Sequence, residues 1–144
     1  MTQLLEKTNM LPKRPNFSLY LQVMVYAAAG INHFVHPDFY LRIIPPYLPD
    51  HSLLNALSGI SELLLAVLLL FPFTRNIAVY GLIALLIAFI PAHIYLIQIS
   101  QCSTPGFCLP LAIAWIRLLP GQFLLIWWAW KLREHKKGFV ETPC

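Results

Sequence analysis

Four apolar runs, each near twenty residues, govern what this chain can fold into. They cover roughly residues 17–35, 53–73, 77–99 and 109–130. A helix rises ~1.5 Å per residue, so about 20 residues cross a ~30 Å hydrocarbon layer. A core helix of a soluble domain is shorter and keeps a polar face. The third run contains no Asp, Glu, Lys or Arg at all. The pattern predicts an all-α membrane protein, a single four-transmembrane-helix bundle in the lipid bilayer. Composition agrees: 58% of residues are hydrophobic and 11% charged, against about a quarter charged in soluble domains. Such hydrophobicity excludes disorder. The formal charge of +4 does not point to nucleic acid, because the basic residues flank apolar runs and form no patch on a folded domain.

Those basic residues set the expected orientation. Lys7, Lys13 and Arg14 precede the first run, Arg75 lies in the short second loop, and Lys131, Arg133, Lys136 and Lys137 follow the last run. The first loop has only Arg42, and Arg117 lies inside the fourth run. The positive-inside rule then places both termini and the second loop in the cytoplasm. Trp127, Trp128 and Trp130 precede Lys131, where an inner aromatic belt belongs. The chain so divides into a cytoplasmic tail over 1–16, a membrane domain over 17–130 and a basic cytoplasmic tail over 131–144. A cleaved secretory signal is the alternative for the first run, with Lys13 and Arg14 ahead of it and an A-x-A pattern at Ala27-Ala28-Ala29. Apolar sequence continues past that pattern, which favours a retained helix.

The first loop, 36–52, contains Pro45, Pro46 and Pro49, which forbid a continuous helix. It is also rich in Phe, Tyr, Leu and Ile, so it is expected to lie at the outer interface or to dip into the bundle mouth. The second turn, around Pro72 to Asn76, is short and makes its flanking helices antiparallel neighbours. Ala84, Ala88 and Ala92 form a row of small residues suited to close helix packing. Cys102 and Cys108 sit in a polar third loop expected to face an oxidising compartment. A local disulfide between them is expected, either as a staple or as a redox pair. Cys144 is expected to be a free thiol.

Polar residues inside the apolar runs carry the functional expectation, because ionisable groups in a membrane are costly and face the bundle interior. His33, Glu62, His93 and Arg117 supply one such group per helix, accompanied by Asn32, Asn55, Ser58 and Gln122. A ~1.5 Å rise per residue puts all four in the outer half, with Glu62 and Arg117 each about 12–13 Å below the outer start of their helices. Gln22, Tyr26, Ala29 and His33 follow one helical stripe; Asn55, Ser58, Glu62 and Ala66 follow another. Pro91 and Pro120 each remove a backbone hydrogen bond, freeing the carbonyls of Ile87 and Ile116, so kinks are expected beside His93 and Arg117. A lone mid-membrane carboxylate is either protonated or paired, and Arg117 is the natural partner for Glu62. Two readings stay open for this pair: a structural clamp between helices, or the proton-handling centre of a ligand pocket lined by Asn32, His33, Ser58, His93 and Gln122. His33 and His36 are spaced i, i+3, but no Cys joins them, so no metal site is assigned.

Several stretches together resemble the DoxX-like family. They are Gly30-Ile31-Asn32-His33-Phe34 with His36-Pro37-Asp38-Phe39-Tyr40, then Ile44-Pro45-Pro46-Tyr47-Leu48-Pro49, Ser58-Gly59-Ile60-Ser61-Glu62, and Arg117-Leu118-Leu119-Pro120-Gly121-Gln122. His93 stands where many members carry asparagine, and the Cys102/Cys108 loop is not a family feature. The resemblance implies a multi-pass four-helix protein of the bacterial inner (plasma) membrane, associated with quinone-linked oxidoreductase complexes. More distant animal relatives act as receptor-assembly chaperones. The expected function is therefore to bind a small hydrophobic ligand such as a quinone, as the membrane part of a redox system with a membrane or periplasmic partner. No motif for a redox cofactor is present, so whether the chain is itself an enzyme stays open. The alternatives are a non-catalytic assembly factor or chaperone, and transport of a small solute by a homo-oligomer.

Overall fold

The computed structural model describes residues 17–100 and 109–133. Every regular element among the described residues is a helix: α1 (Phe17–Val35), α2 (Pro37–Ile43), α3 (His51–Leu70), α4 (Arg75–Ala88), α5 (Ile90–Ile99), α6 (Leu111–Ile116), a π-helical turn (Arg117–Gly121) and α7 (Gln122–Lys131). Three stretches are long and apolar enough to cross a membrane: His51–Leu70, Arg75–Ile99 and Leu111–Lys131. They mark an integral membrane protein. The second and third each run through an irregularity, and a proline sits at both. Pro91 follows the break at Phe89 between α4 and α5, and Pro120 lies inside the π turn. The first expected span, α1, has 19 residues but is not among the three, because Gln22, Asn32 and His33 lower its apolarity.

The first loop departs from expectation. Prolines at 45, 46 and 49 keep it from being one helix, but seven of its residues form α2. Pro37 sits in the first turn of that helix, where its missing N–H costs nothing. Asp50 then starts α3 from a left-handed backbone, φ 35°, and its carboxylate accepts from the Leu53 N–H at 3.1 Å. At the other end of α3, Thr74 Oγ1 donates to the Leu68 carbonyl and Arg75 Nε to the Leu69 carbonyl, at 2.7 and 3.2 Å. These bonds satisfy carbonyls that a helix terminus leaves open and lock the tight turn into α4.

α1 packs along α3, α3 along α4, and α4 against α7. The α1–α3 approach is closest at Gly30 and Gly59, where an added Cβ would meet Leu63 and the Gly59 carbonyl, or His33 and Phe34. Two apolar clusters form. One gathers Leu19, Tyr26, Ala66, Leu69, Ala78, Val79 and Leu82 from α1, α3 and α4. The other joins Ile43, Leu96 and Ala114, with Phe39 and Tyr40 against it, so α2 folds back onto α5 and α6. Large apolar side chains such as Met24, Leu64, Ile87 and Phe123 point outward, as a lipid solvent allows. Ala84 and Ala88 are also exposed, so among the described residues no helix covers these two members of the small-residue row; the third, Ala92, borders the cavity described below.

Candidate functional site

A cavity of about 270 Å³ lies between the two clusters, with Tyr26 of the first and Ile43 of the second on its walls. Both polar stripes turn toward it. Gln22, Tyr26 and His33 are buried on α1, as are Asn55 and Glu62 on α3. His33, Ser58, Glu62, His93, Arg117 and Gln122 all line the cavity. The rest of its wall is largely apolar, including Val25, Leu86, Phe89 and Leu125.

Asn32 is the exception among the expected ligand-binding residues. It does not line the cavity but faces a neighbouring surface groove. One residue along a helix is a ~100° rotation, enough to separate it from His33. Its amide Nδ2 donates to the Tyr40 hydroxyl at 2.9 Å. Tyr40 stacks on His33 with ring centroids 3.7 Å apart and itself lines the cavity. Asn32 therefore holds an aromatic lid in place.

Glu62 does not pair with Arg117. Its Oε2 lies 3.8 Å from His33 Nε2, too far for a hydrogen bond, and is buried with no hydrogen-bond partner among the described residues. Arg117 is exposed and lines both the cavity and the surface groove, so it stands at the boundary between them. An estimate of depth does not fix direction: both residues border the cavity, Glu62 buried and Arg117 exposed, without an ion pair between them.

Asn55 is the residue whose role the pattern alone did not reveal. Its amide Nδ2 donates to the His33 backbone carbonyl at 3.0 Å, and its Oδ1 lies 2.8 Å from His33 Nδ1. A carbonyl only accepts, so the amide has one possible orientation and Nδ1 must carry the hydrogen. On α5, His93 Nδ1 lies 2.9 Å from the Phe89 carbonyl, which likewise places the hydrogen on Nδ1. The Gln122 side-chain amide approaches the same nitrogen, at 3.2 Å. Turning that amide faces its oxygen to Nδ1–H and leaves Nε2, in place of Oε1, without a hydrogen-bond partner among the described residues. The Gln22 amide and the Tyr26 hydroxyl are also buried without hydrogen-bond partners among the described residues.

Among the described residues, no group of three His, Cys, Asp or Glu side chains is arranged to hold a metal ion. Cys102 and Cys108, with their expected disulfide, and Cys144 lie outside the described residues. At the opposite end from α2, Trp128 Nε1 donates to Ser18 Oγ at 2.7 Å, and Lys131 Nζ and Arg133 Cζ stand 3.9 and 4.1 Å from the Trp127 and Trp130 ring centroids. Arg133 also donates to the Tyr80 hydroxyl at 3.4 Å.

No curated protein and no solved structure matches the chain. The family described as a domain of unknown function, DUF8561, matches residues 23–133, a stretch that includes every residue lining the cavity. The chain belongs to this DUF8561 family.

Proposed function

We propose that this is a DoxX-like membrane protein whose four helical units, α1, α3, α4–α5 and α6–π–α7, cross the inner membrane around a pocket for a small hydrophobic ligand such as a quinone. It serves as the membrane part of a redox system, and electrons come from a membrane or periplasmic partner, since the chain carries no cofactor motif of its own. The observation that carries this reading is the buried His33–Glu62 pair on the wall of a largely apolar cavity, with Glu62 Oε2 lacking a hydrogen-bond partner among the described residues. Ligand sites are mostly apolar concavities of about 300–1,000 Å³ with a few placed polar groups. At about 270 Å³ this cavity lies just below that range, so it suits a small ligand. His33, Glu62, His93 and Gln122 would hold the ring's polar groups; a bound quinone would supply the electron chemistry.

In this reading both termini are cytoplasmic. The belt of Trp127, Trp130, Lys131 and Arg133 meets Ser18 and Tyr80, which supports placing the start of α1, the start of α4 and the end of α7 on one side with the basic residues. α2 then lies at the outer face over the cavity.

Native mass spectrometry of the chain extracted with its surrounding lipids tests the proposal. A near-stoichiometric apolar ring compound, lost on Glu62→Gln, is expected. An empty preparation that also takes up no added quinone would overturn it. A non-catalytic assembly role is the second reading, favoured by the uncovered Ala84 and Ala88, which suit a partner helix. Glu62→Gln would leave that role intact.

A further inference from the structure

The cavity's polar end is one group short, and the hydrogen bonds around it say which kind of group is missing. Asn55 fixes the hydrogen of His33 on Nδ1. The other ring nitrogen, Nε2, therefore carries either a lone pair or the second hydrogen of an imidazolium. It faces Glu62 Oε2 across 3.8 Å, and among the described residues neither a donor nor an acceptor bridges the two. An atom about 2.8 Å from each, the ordinary hydrogen-bond length, bridges them from beside the line that joins them, and both residues border the cavity.

We propose that the gap between His33 Nε2 and Glu62 Oε2 seats a hydroxyl group, so that the cavity selects the reduced, hydroxyl-bearing form of a ring ligand over its oxidised, carbonyl-bearing form. The inference rests on the cavity being a ligand site, as proposed above, and adds which redox form it takes.

The reason is the donor and acceptor count. When one proton is shared by the pair, one of the two atoms donates and the other accepts. A hydroxyl answers both, accepting from the first and donating to the second. A carbonyl oxygen only accepts. It would satisfy the donor and leave the other buried atom facing its lone pairs, at the cost that an unpaired buried polar atom carries. A ring is the matching scaffold, because Tyr40 stacks at 3.7 Å on His33 and the Phe89 ring lies 6.4 Å from it. His93 lines the same cavity, and the Phe89 carbonyl holds its hydrogen on Nδ1, which leaves Nε2 as an acceptor for a second hydroxyl.

The test is equilibrium dialysis of the full chain in nanodiscs, without oxygen, against a short-chain alkyl benzoquinol and the matching benzoquinone. The benzoquinol is expected to bind at least tenfold tighter. Glu62→Gln brings its own donor and acceptor to the gap and should bring the ratio close to one. Equal binding of the two forms by the unaltered chain, or tighter binding of the benzoquinone, overturns the selection while leaving the cavity as a ligand site. Binding of neither form removes the quinone-type reading itself, and the selection with it. The ratio measured on the unaltered chain decides the matter even if the variant does not fold.

Discussion

A Cβ placed on Gly30 would stand 2.9 Å from the carbonyl oxygen of Gly59, so α1 and α3 touch backbone to backbone at the level of the site. That contact brings His33 of α1 beside Asn55 and Glu62 of α3. Gly30→Leu and Gly59→Leu should each lower stability by about 1–3 kcal/mol, the range for forced overpacking. The check is the thermal unfolding midpoint in detergent, with Ala28→Leu, an exposed position on α1, as the control that should change little.

Asn55 makes two bonds to one histidine, and loss of the amide strands both ends. Asn55→Leu should cost about 1–3 kcal/mol for each polar atom left buried and unpaired. Asn55→Asp keeps the acceptor for His33 Nδ1 but loses the donor to the His33 carbonyl, and should fall between Asn55 and Leu. Unfolding curves for the three proteins give the order. A neutral Asn55→Leu would mean that water replaces both bonds.

The histidine, not the arginine, should be coupled to Glu62. In a double-mutant cycle, Glu62→Gln and Arg117→Leu are expected to add to within ~0.5 kcal/mol, as uncoupled sites do, while Glu62→Gln and His33→Phe should show a coupling of about 0.5–3 kcal/mol. Coupling between Glu62 and Arg117 instead would show that the exposed arginine side chain swings inward in the bilayer.

Topology is open to direct labelling. With the native cysteines replaced, a single cysteine at position 136 should react with a membrane-impermeant maleimide only after the cells are opened, and one at position 47 should react in intact cells. The reverse pattern would invert the orientation.

Much of this arrangement is legible in the sequence. Hydropathy marked the long spans, and the 3.6-residue repeat placed Gln22, Tyr26 and His33, and then Asn55, Ser58 and Glu62, on inward faces. Pro91 and Pro120 lie at the two irregularities they led one to expect. What the sequence does not encode has a common cause. Rise per residue gives the height of a side chain but not its direction across a bundle, so it cannot separate an ion pair of Glu62 and Arg117 from two unpaired residues, nor show that Asn32 faces the surface groove while His33 faces the cavity. Tyr40 was hidden because α2 is too short and too rich in flanking prolines to announce itself, and its stacking on His33 is a tertiary contact that no local pattern encodes.

The π turn at Arg117–Gly121 carries one residue more per turn than the α-helices on either side. α6 answers to one set of neighbours, Leu96 and Ile43, while α7 answers to another, Ser18 and Tyr80. An unbroken helix has a single phase and would rotate one of those faces by ~100° per missing residue. Deleting Leu118 would therefore do more than shorten the span. It would swing Trp128 and Arg133 off their partners and turn Gln122 out of the cavity together. The extra residue acts as a phase shifter, by which one span meets two unrelated surfaces in register.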